Sequence, residues 1–288
     1  MADTMISFAD NSLSTSFLSK EELLRACPHA FRSEPTNPNV SDKYVQANTM
    51  TVIDDLAKLG WFPVQAKQCR AKKNSSGVRS FHMIALQNPN IKIMKTSADG
   101  TQVVDAYPQI IMTNSHDGFN SFKFMLGIFR IICSNGLVVC DDQMVNMSIR
   151  HINYTFEELR RIVAQAIEEV PNIVATMNKM RTIELSEEQK KDIARSMFKI
   201  RKNVEENAQV EVSDEVLEDI LTPVRAEDRR NDLWTVFNIC QEKMIKGGFS
   251  ASSKNNKTRK QRGITSIKKD MDFNQKLWGV ASAYLNAA

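Results

Sequence analysis

The residues of this chain that could do chemistry fall into three groups: a Ser-His-Asp run, two basic segments, and a set of cysteines and histidines. Ser115-His116-Asp117 holds the three side-chain types of a hydrolase triad. Neighbours on a strand point to alternate sides, so these three cannot pass a proton among themselves, and catalysis would need partners from elsewhere. The plainer reading is a polar strand end leading into an Asp117-Gly118 turn, with His116 satisfied by a backbone group. The remaining role is contact with a ligand or nucleic acid, shared with Arg130 and Asn135. An enzyme centred on this run is the lesser expectation.

The basic segments carry more weight. Lys67, Arg70, Lys72, Lys73 and Arg79 lie on or beside one hairpin tip, which is either a polyanion contact or a solvated turn. Lys254, Lys257, Arg259, Lys260, Arg262, Lys268 and Lys269 form a second cluster with no acid before Asp270. Such a run repels itself unless a polyanion neutralises it, and binding phosphates would release counterions and make affinity salt-dependent. A solvated linker is the alternative. Tyr44, Trp61, Phe81 and Phe119 could stack on unpaired bases or fill the core.

Metal and cofactor chemistry find little support. His29, His82, His116 and His151 are scattered, and Cys133 and Cys140 supply half of a closed zinc site at most. Asp141-Asp142 with His116 would make only a weak oxygen-rich site. Neither the P-loop nor the dinucleotide fingerprint occurs, so we expect no cofactor and no metal.

The whole chain sets the limits. Its 288 residues suffice for one or two domains, and 42% hydrophobic with 25% charged residues is ordinary for a globular protein. The net charge of +4 says less than its clustering. No apolar run approaches the ~20 residues that span a bilayer. The first residues lack a basic n-region and an apolar h-region. The five cysteines are odd in number and irregular in spacing, which suits free thiols in a reducing compartment. A cytoplasmic protein with no membrane contact is the expectation.

The positioning elements are read from pattern. Tyr107 to Cys140 is the most apolar stretch and reads as sheet, with Asp117-Gly118 and Asn135-Gly136 as turn dipeptides. Strands are expected over 61–69, 78–86, 107–114 and 137–140, with 91–104 ambiguous around Asp99-Gly100 and 122–132 either strand or helix. Capping boxes at Ser19, Thr155 and Ser186 start helices, the second running to about Met180 and kinked or broken at Pro171. Further helices are expected over 42–59, from Ser213 to before Pro223, over 225–245, and over 272–285; 249–265 reads as a polar basic loop. The fold class is therefore α+β: a mainly antiparallel twisted sheet at about residues 61–140, packed by helices, with a helical C-terminal half. The domain plan is a flexible arm with a short helix at 1–40, a sheet core at 41–152, and a helical region at 153–288. That last region carries the basic loop 249–269 and packs on the core.

Two blocks carry a resemblance. Asn114-Ser-His-Asp-Gly118, followed by Phe129-Arg-Ile-Ile-Cys133-Ser-Asn135-Gly-Leu137, resembles the signature of an uncharacterised phage/plasmid-like protein family, a domain of unknown function. Ile149-Arg-His151 and Leu233-Trp-Thr-Val-Phe-Asn238 are similar to its later blocks, so the likeness spans roughly residues 60–285. Gly136 stands where that family would have Thr or Leu. The resemblance implies a setting in phages and plasmids, beside replication and recombination, and no catalytic set. A looser likeness to single-strand annealing proteins rests on fold analogy. The reading is a nucleic-acid-binding protein, favouring single-stranded DNA and forming a homo-oligomer. The alternative is a protein-binding effector, with Glu205 to Asp219 as its acidic contact.

Overall fold

Two long adjacent strands organise the first half of the chain, and each is flanked by two shorter strands laid end to end. The computed structural model describes residues 4–8, 16–35, 48–69, 80–97, 99–120, 122–130, 135–138, 147–149, 155–204, 212–252 and 258–287. The chain divides into two units, Met5–Asn172 and Ile173–Ala288, the latter also taking Met1–Thr4.

The first unit holds β1 (Thr4–Phe8), α1 (Lys20–Ala26), a 3-10 turn at Pro28–Phe31, α2 (Thr49–Lys58), β2 (Phe62–Gln68), β3 (His82–Gln87), β4 (Ile91–Thr96), β5 (Gln102–Asn114), β6 (Phe122–Arg130), β7 (Asn135–Val138), β8 (Met147–Ile149) and α3 (Phe156–Thr182). The eight strands form one sheet. On one edge, β5 pairs with β4 through Gln102 to Ala106 and with β3 through Gln109 to Asn114; on the other it pairs with β6. β7 and β8 line the far edge of β6 in the same way. Pro108, which has no N–H to give, sits where the partner of β5 on one edge changes from β4 to β3, and lies opposite Ile128 of β6 on the other.

β3 is buried along its whole length and β5 from Asp105 onward, so both faces of the sheet centre are covered. That explains why β3 reads as nearly continuous apolar sequence where clean alternation would mark a half-wet strand. Val52, Ile53 and Leu56 give α2 its buried stripe, and Gly60 at φ 82° ends that helix in the left-handed region that a side chain disfavours.

The second unit, beginning within α3, contains α4 (Glu187–Lys202), α5 (Asp214–Leu221), a 3-10 turn at Ala226–Asp228, α6 (Leu233–Lys246), β9 (Gly247–Ser252), β10 (Thr258–Arg262) and α7 (Ile267–Ala287). α6 buries eleven of its fourteen residues and is the centre of this unit. Its polar positions are paired inside: Gln241 donates to Asn274 at 2.8 Å, and Arg225 forks onto Glu242 at 2.6 and 2.8 Å. β9 pairs antiparallel with β10 and buries Phe249 and Ala251, with the Phe249 ring 6.1 Å from that of Phe198 on α4.

The α+β class stands, with an antiparallel sheet followed by a helical half. Capping boxes at Ser19 and Ser186 form as predicted, and the Thr155 hydroxyl accepts from the Glu158 N–H at 3.1 Å. Residues 122–130 are strand, the first of the two alternatives for that segment. Several expectations need correction. Asn135-Gly136 lies inside β7, where Asn135 pairs with Arg130 and Gly136 with Phe129. The stretch 249–265 contains a hairpin, since a polar strand needs only backbone partners. Pro171 sits inside one continuous helix. The helix expected from Arg225 begins at Leu233, where Asp232 accepts from the Thr235 N–H at 2.9 Å. α2 starts at Thr49, because the Asn48 side chain caps it.

Candidate functional site

In the first unit, a buried polar network forms where the C-terminal end of β5 meets the first residue of α2. Thr49 is its hub. The His82 Nδ1 lies 2.7 Å from the Ser80 carbonyl, which can only accept, so Nδ1 carries the proton and Nε2 is the acceptor. The Thr49 hydroxyl, 2.8 Å from that Nε2, therefore donates to it. Its oxygen accepts from Asn114 Nδ2 at 3.0 Å and stands 3.5 Å from His116 Nε2. Burial pushes the His82 imidazole down to about 4, which keeps it neutral and keeps this pattern intact.

The family block forms the other half of the network. The His116 N–H donates to Ser80 Oγ at 2.6 Å. Asp117 accepts from the backbone of Ser80 at 3.2 Å and of Phe119 at 3.1 Å. Burial raises the Asp117 carboxyl, but the Ser115 hydroxyl and these two N–H groups outweigh it, and the group lies below the usual carboxylate range. Ser115 exchanges hydrogen bonds with Asn120 at 3.2 and 3.4 Å. Ser115 and His116 are 0% exposed, so as arranged they offer a substrate no approach. Arg130 is buried as well, and the Asn135 side chain lies outside the described residues. The histidines are less scattered than the sequence suggested, since the His82 and His116 rings are 5.2 Å apart. Among the described residues no group of three His, Cys, Asp or Glu could hold a metal ion.

The second unit carries the basic face. Arg259, Lys260 and Arg262 stand exposed along β10, with Lys268 and Lys269 exposed at the start of α7. Sequence reasoning missed the neighbours that the fold brings to this strand. The C-terminal turn of α4 meets it: the Arg201 guanidinium donates to the Arg262 carbonyl and Lys202 Nζ to Gln261 Oε1 at 2.7 Å. The pairing of β10 with β9 is irregular between Lys260 and Arg262, and Gln261, at that irregularity, turns its side chain to Lys202. Arg201 also lies 5.9 Å from the Phe273 ring. Burial lowers the pKa of Arg201, and burial together with the Arg201 charge lowers that of Lys202. Among the described residues, no carboxylate is in ion-pair range of Arg201, Lys202, Arg259, Lys260 or Arg262. The signal for α4 was present in its last turn, Lys199, Arg201 and Lys202, but it reads as ordinary complementation of the helix dipole.

Of the remaining predicted contacts, Lys67 is on β2, while Arg70, Lys72, Lys73, Arg79, Lys254 and Lys257 lie outside the described residues. So do Tyr44, Cys133, Cys140, Asp141, Asp142 and His151. Trp61 and Phe81 are core residues; Phe119 is 76% exposed. A cavity of about 520 Å³ opens between α4, α5 and α6, but several of its charges are already paired, Lys190 with Glu187, Lys191 with Asp214 and Arg230 with Asp232. Among the described residues no helix is long and apolar enough to cross a membrane.

Comparison with known proteins places the chain among uncharacterised proteins, as the family resemblance implied. The chain is 29% identical over 276 residues to the UPF0380 proteins YafZ and YfjQ of Escherichia coli (strain K12), covering 93% of this chain and 92% of each relative. No solved structure matches it. Residues 38–278 match the profile described as Domain of unknown function (DUF932), a span that starts earlier than the resemblance suggested, and the chain belongs to that family.

Proposed function

We propose that the protein binds nucleic acid, single-stranded DNA by preference, through the face made by β10 and the end of α4. The observation that supports this reading is that Arg201 and Lys202 are hydrogen-bonded to the strand that carries the exposed Arg259, Lys260 and Arg262, with no carboxylate partner for any of the five among the described residues. Holding like charges together costs free energy, more so where burial already lowers two of the pKa values, and a phosphate backbone offsets that cost. β10 suits the task because it is an extended, exposed strand braced from behind: β9 buries Phe249, and Asp219 accepts from the Ser250 N–H at 2.8 Å. The family resemblance suggests the setting, recombination or replication of a phage or plasmid in a bacterial cytoplasm, with assembly along the strand as a homo-oligomer.

Fluorescence anisotropy with a labelled oligo-dT, titrated across roughly 50–300 mM salt, is the test. Binding that weakens steeply with salt supports the proposal. No binding at the lowest salt removes it.

A further inference from the structure

The Ser-His-Asp-Gly block is followed at once by a residue that the nucleic-acid face of the second unit does not use. Phe119 is 76% exposed, the most exposed of the large apolar side chains among the described residues. A single exposed apolar residue on a loose loop is unremarkable, because the loop can fold it back against the surface. Phe119 does not sit on such a loop. Its own N–H donates to Asp117, and Asp117 is fastened through the Ser80 backbone. The residue two before it, Asp117, is 3% exposed, and those before that are fully buried. Gly118, at φ 75°, makes the reversal that throws the ring outward. Moving the turn would break buried hydrogen bonds, each costly to leave unmade. The buried network is thus the mount, and the ring is what it presents.

A ring held in water on a fixed mount is preorganised for a flat partner. Lys123, exposed on β6 four residues further on and without a carboxylate partner among the described residues, supplies positive charge on the same segment. We infer that Phe119 is a stacking platform for an unpaired nucleobase, with Lys123 meeting the adjoining phosphate. This rests on the nucleic-acid reading proposed above and adds a base contact in the first unit to the phosphate contacts of the second. It also gives the Ser-His-Asp run a role without chemistry: Ser115, His116 and Asp117 are positioning residues.

The test compares two oligonucleotides of equal length and charge, oligo-dT and the same strand with its central bases replaced by abasic sites, on wild type, Phe119→Ala and Phe119→Trp. Base–aromatic stacking corresponds to roughly 5- to 100-fold in affinity. Wild type should prefer oligo-dT over the abasic strand by that factor. Phe119→Ala should lose the preference while its salt slope stays unchanged, because no phosphate contact is removed. Phe119→Trp should keep it. Circular dichroism of Phe119→Ala should match wild type, the side chain being outside the core. If Phe119→Ala binds both strands as wild type does, the inference is wrong while the phosphate-binding reading survives. A change in self-association alone, with the base preference intact, would also overturn it by assigning the ring to a second copy of the chain. Absence of any salt-dependent binding in wild type would end both.

Discussion

Replacing Thr49 by valine isolates the hub of the buried network. Valine keeps the β-branched shape at the first residue of α2 and exchanges the hydroxyl for a methyl, so packing is nearly preserved. The hydrogen bonds are not. His82 Nε2 loses a donor at 2.8 Å, Asn114 Nδ2 loses an acceptor at 3.0 Å, and His116 Nε2 loses a weaker neighbour at 3.5 Å. All three side chains are fully buried, so water cannot replace the missing partner. A buried polar group left without a partner costs about 1–3 kcal/mol, and two strong losses with one weak one come to about 2–5 kcal/mol. The assay is urea unfolding read by circular dichroism, with the midpoint falling at an unchanged slope. Thr49→Ser, which keeps the hydroxyl and loses only a methyl, should cost about 1 kcal/mol. If Thr49→Val lies within about 0.5 kcal/mol of wild type, the range of ordinary surface changes, the hydroxyl is not the hub and the donor assignments are wrong.

Three further outcomes follow from the same geometry. The folded His82 pKa of about 4 lies below the ordinary histidine value of about 6.5, so the unfolded chain binds the extra proton first as pH falls. Stability is then full above pH 6.5 and drops by about 3 kcal/mol as pH approaches 4; an imidazole NMR titration placing folded His82 near 6.5 would contradict this. At Gly247, at φ 75°, an added Cβ would lie 2.3 Å from the Gln261 carbonyl oxygen, so Gly247→Ala should spread the β9–β10 hairpin and destabilise the second unit by more than about 1 kcal/mol; an unchanged thermal midpoint would refute this. Neutralising Arg201 as Arg201→Met should release the Arg262 carbonyl and weaken oligonucleotide binding more than Lys269→Met, which lies outside the braced strand; equal effects would show that bracing is irrelevant.

Much of the scaffold was legible because its signals are local. Ser19 and Ser186 announce helix starts within four residues, and Asp99-Gly100 and Asp117-Gly118 mark reversals that form as read. Failures came where partners are distant in sequence. Thr49 reads in sequence as one residue inside the helix expected over 42–59, yet its partners lie 33, 65 and 67 residues away. β10 reads Thr-Arg-Lys-Gln-Arg, with no apolar alternation, because it is held as a strand by backbone pairing with β9 and by hydrogen bonds from α4. Asn135-Gly136 has turn chemistry but is carried into a strand by the register with Arg130 and Phe129. The cationic character of the candidate face was visible in 254–269, whereas the contribution of Arg201 and Lys202 required the fold.

The most direct trial of the central claim is the salt slope of single-strand binding, measured for wild type and for Arg259→Gln/Lys260→Gln/Arg262→Gln together. Each phosphate contact contributes about 0.7 to the slope of log affinity against log salt for single strands, so removing three should flatten it by about 2. A fall of that size, with circular dichroism unchanged, is the predicted result. A folded triple variant with the slope and affinity of wild type would contradict the account, because the exposed cations of β10 would then have no part in binding.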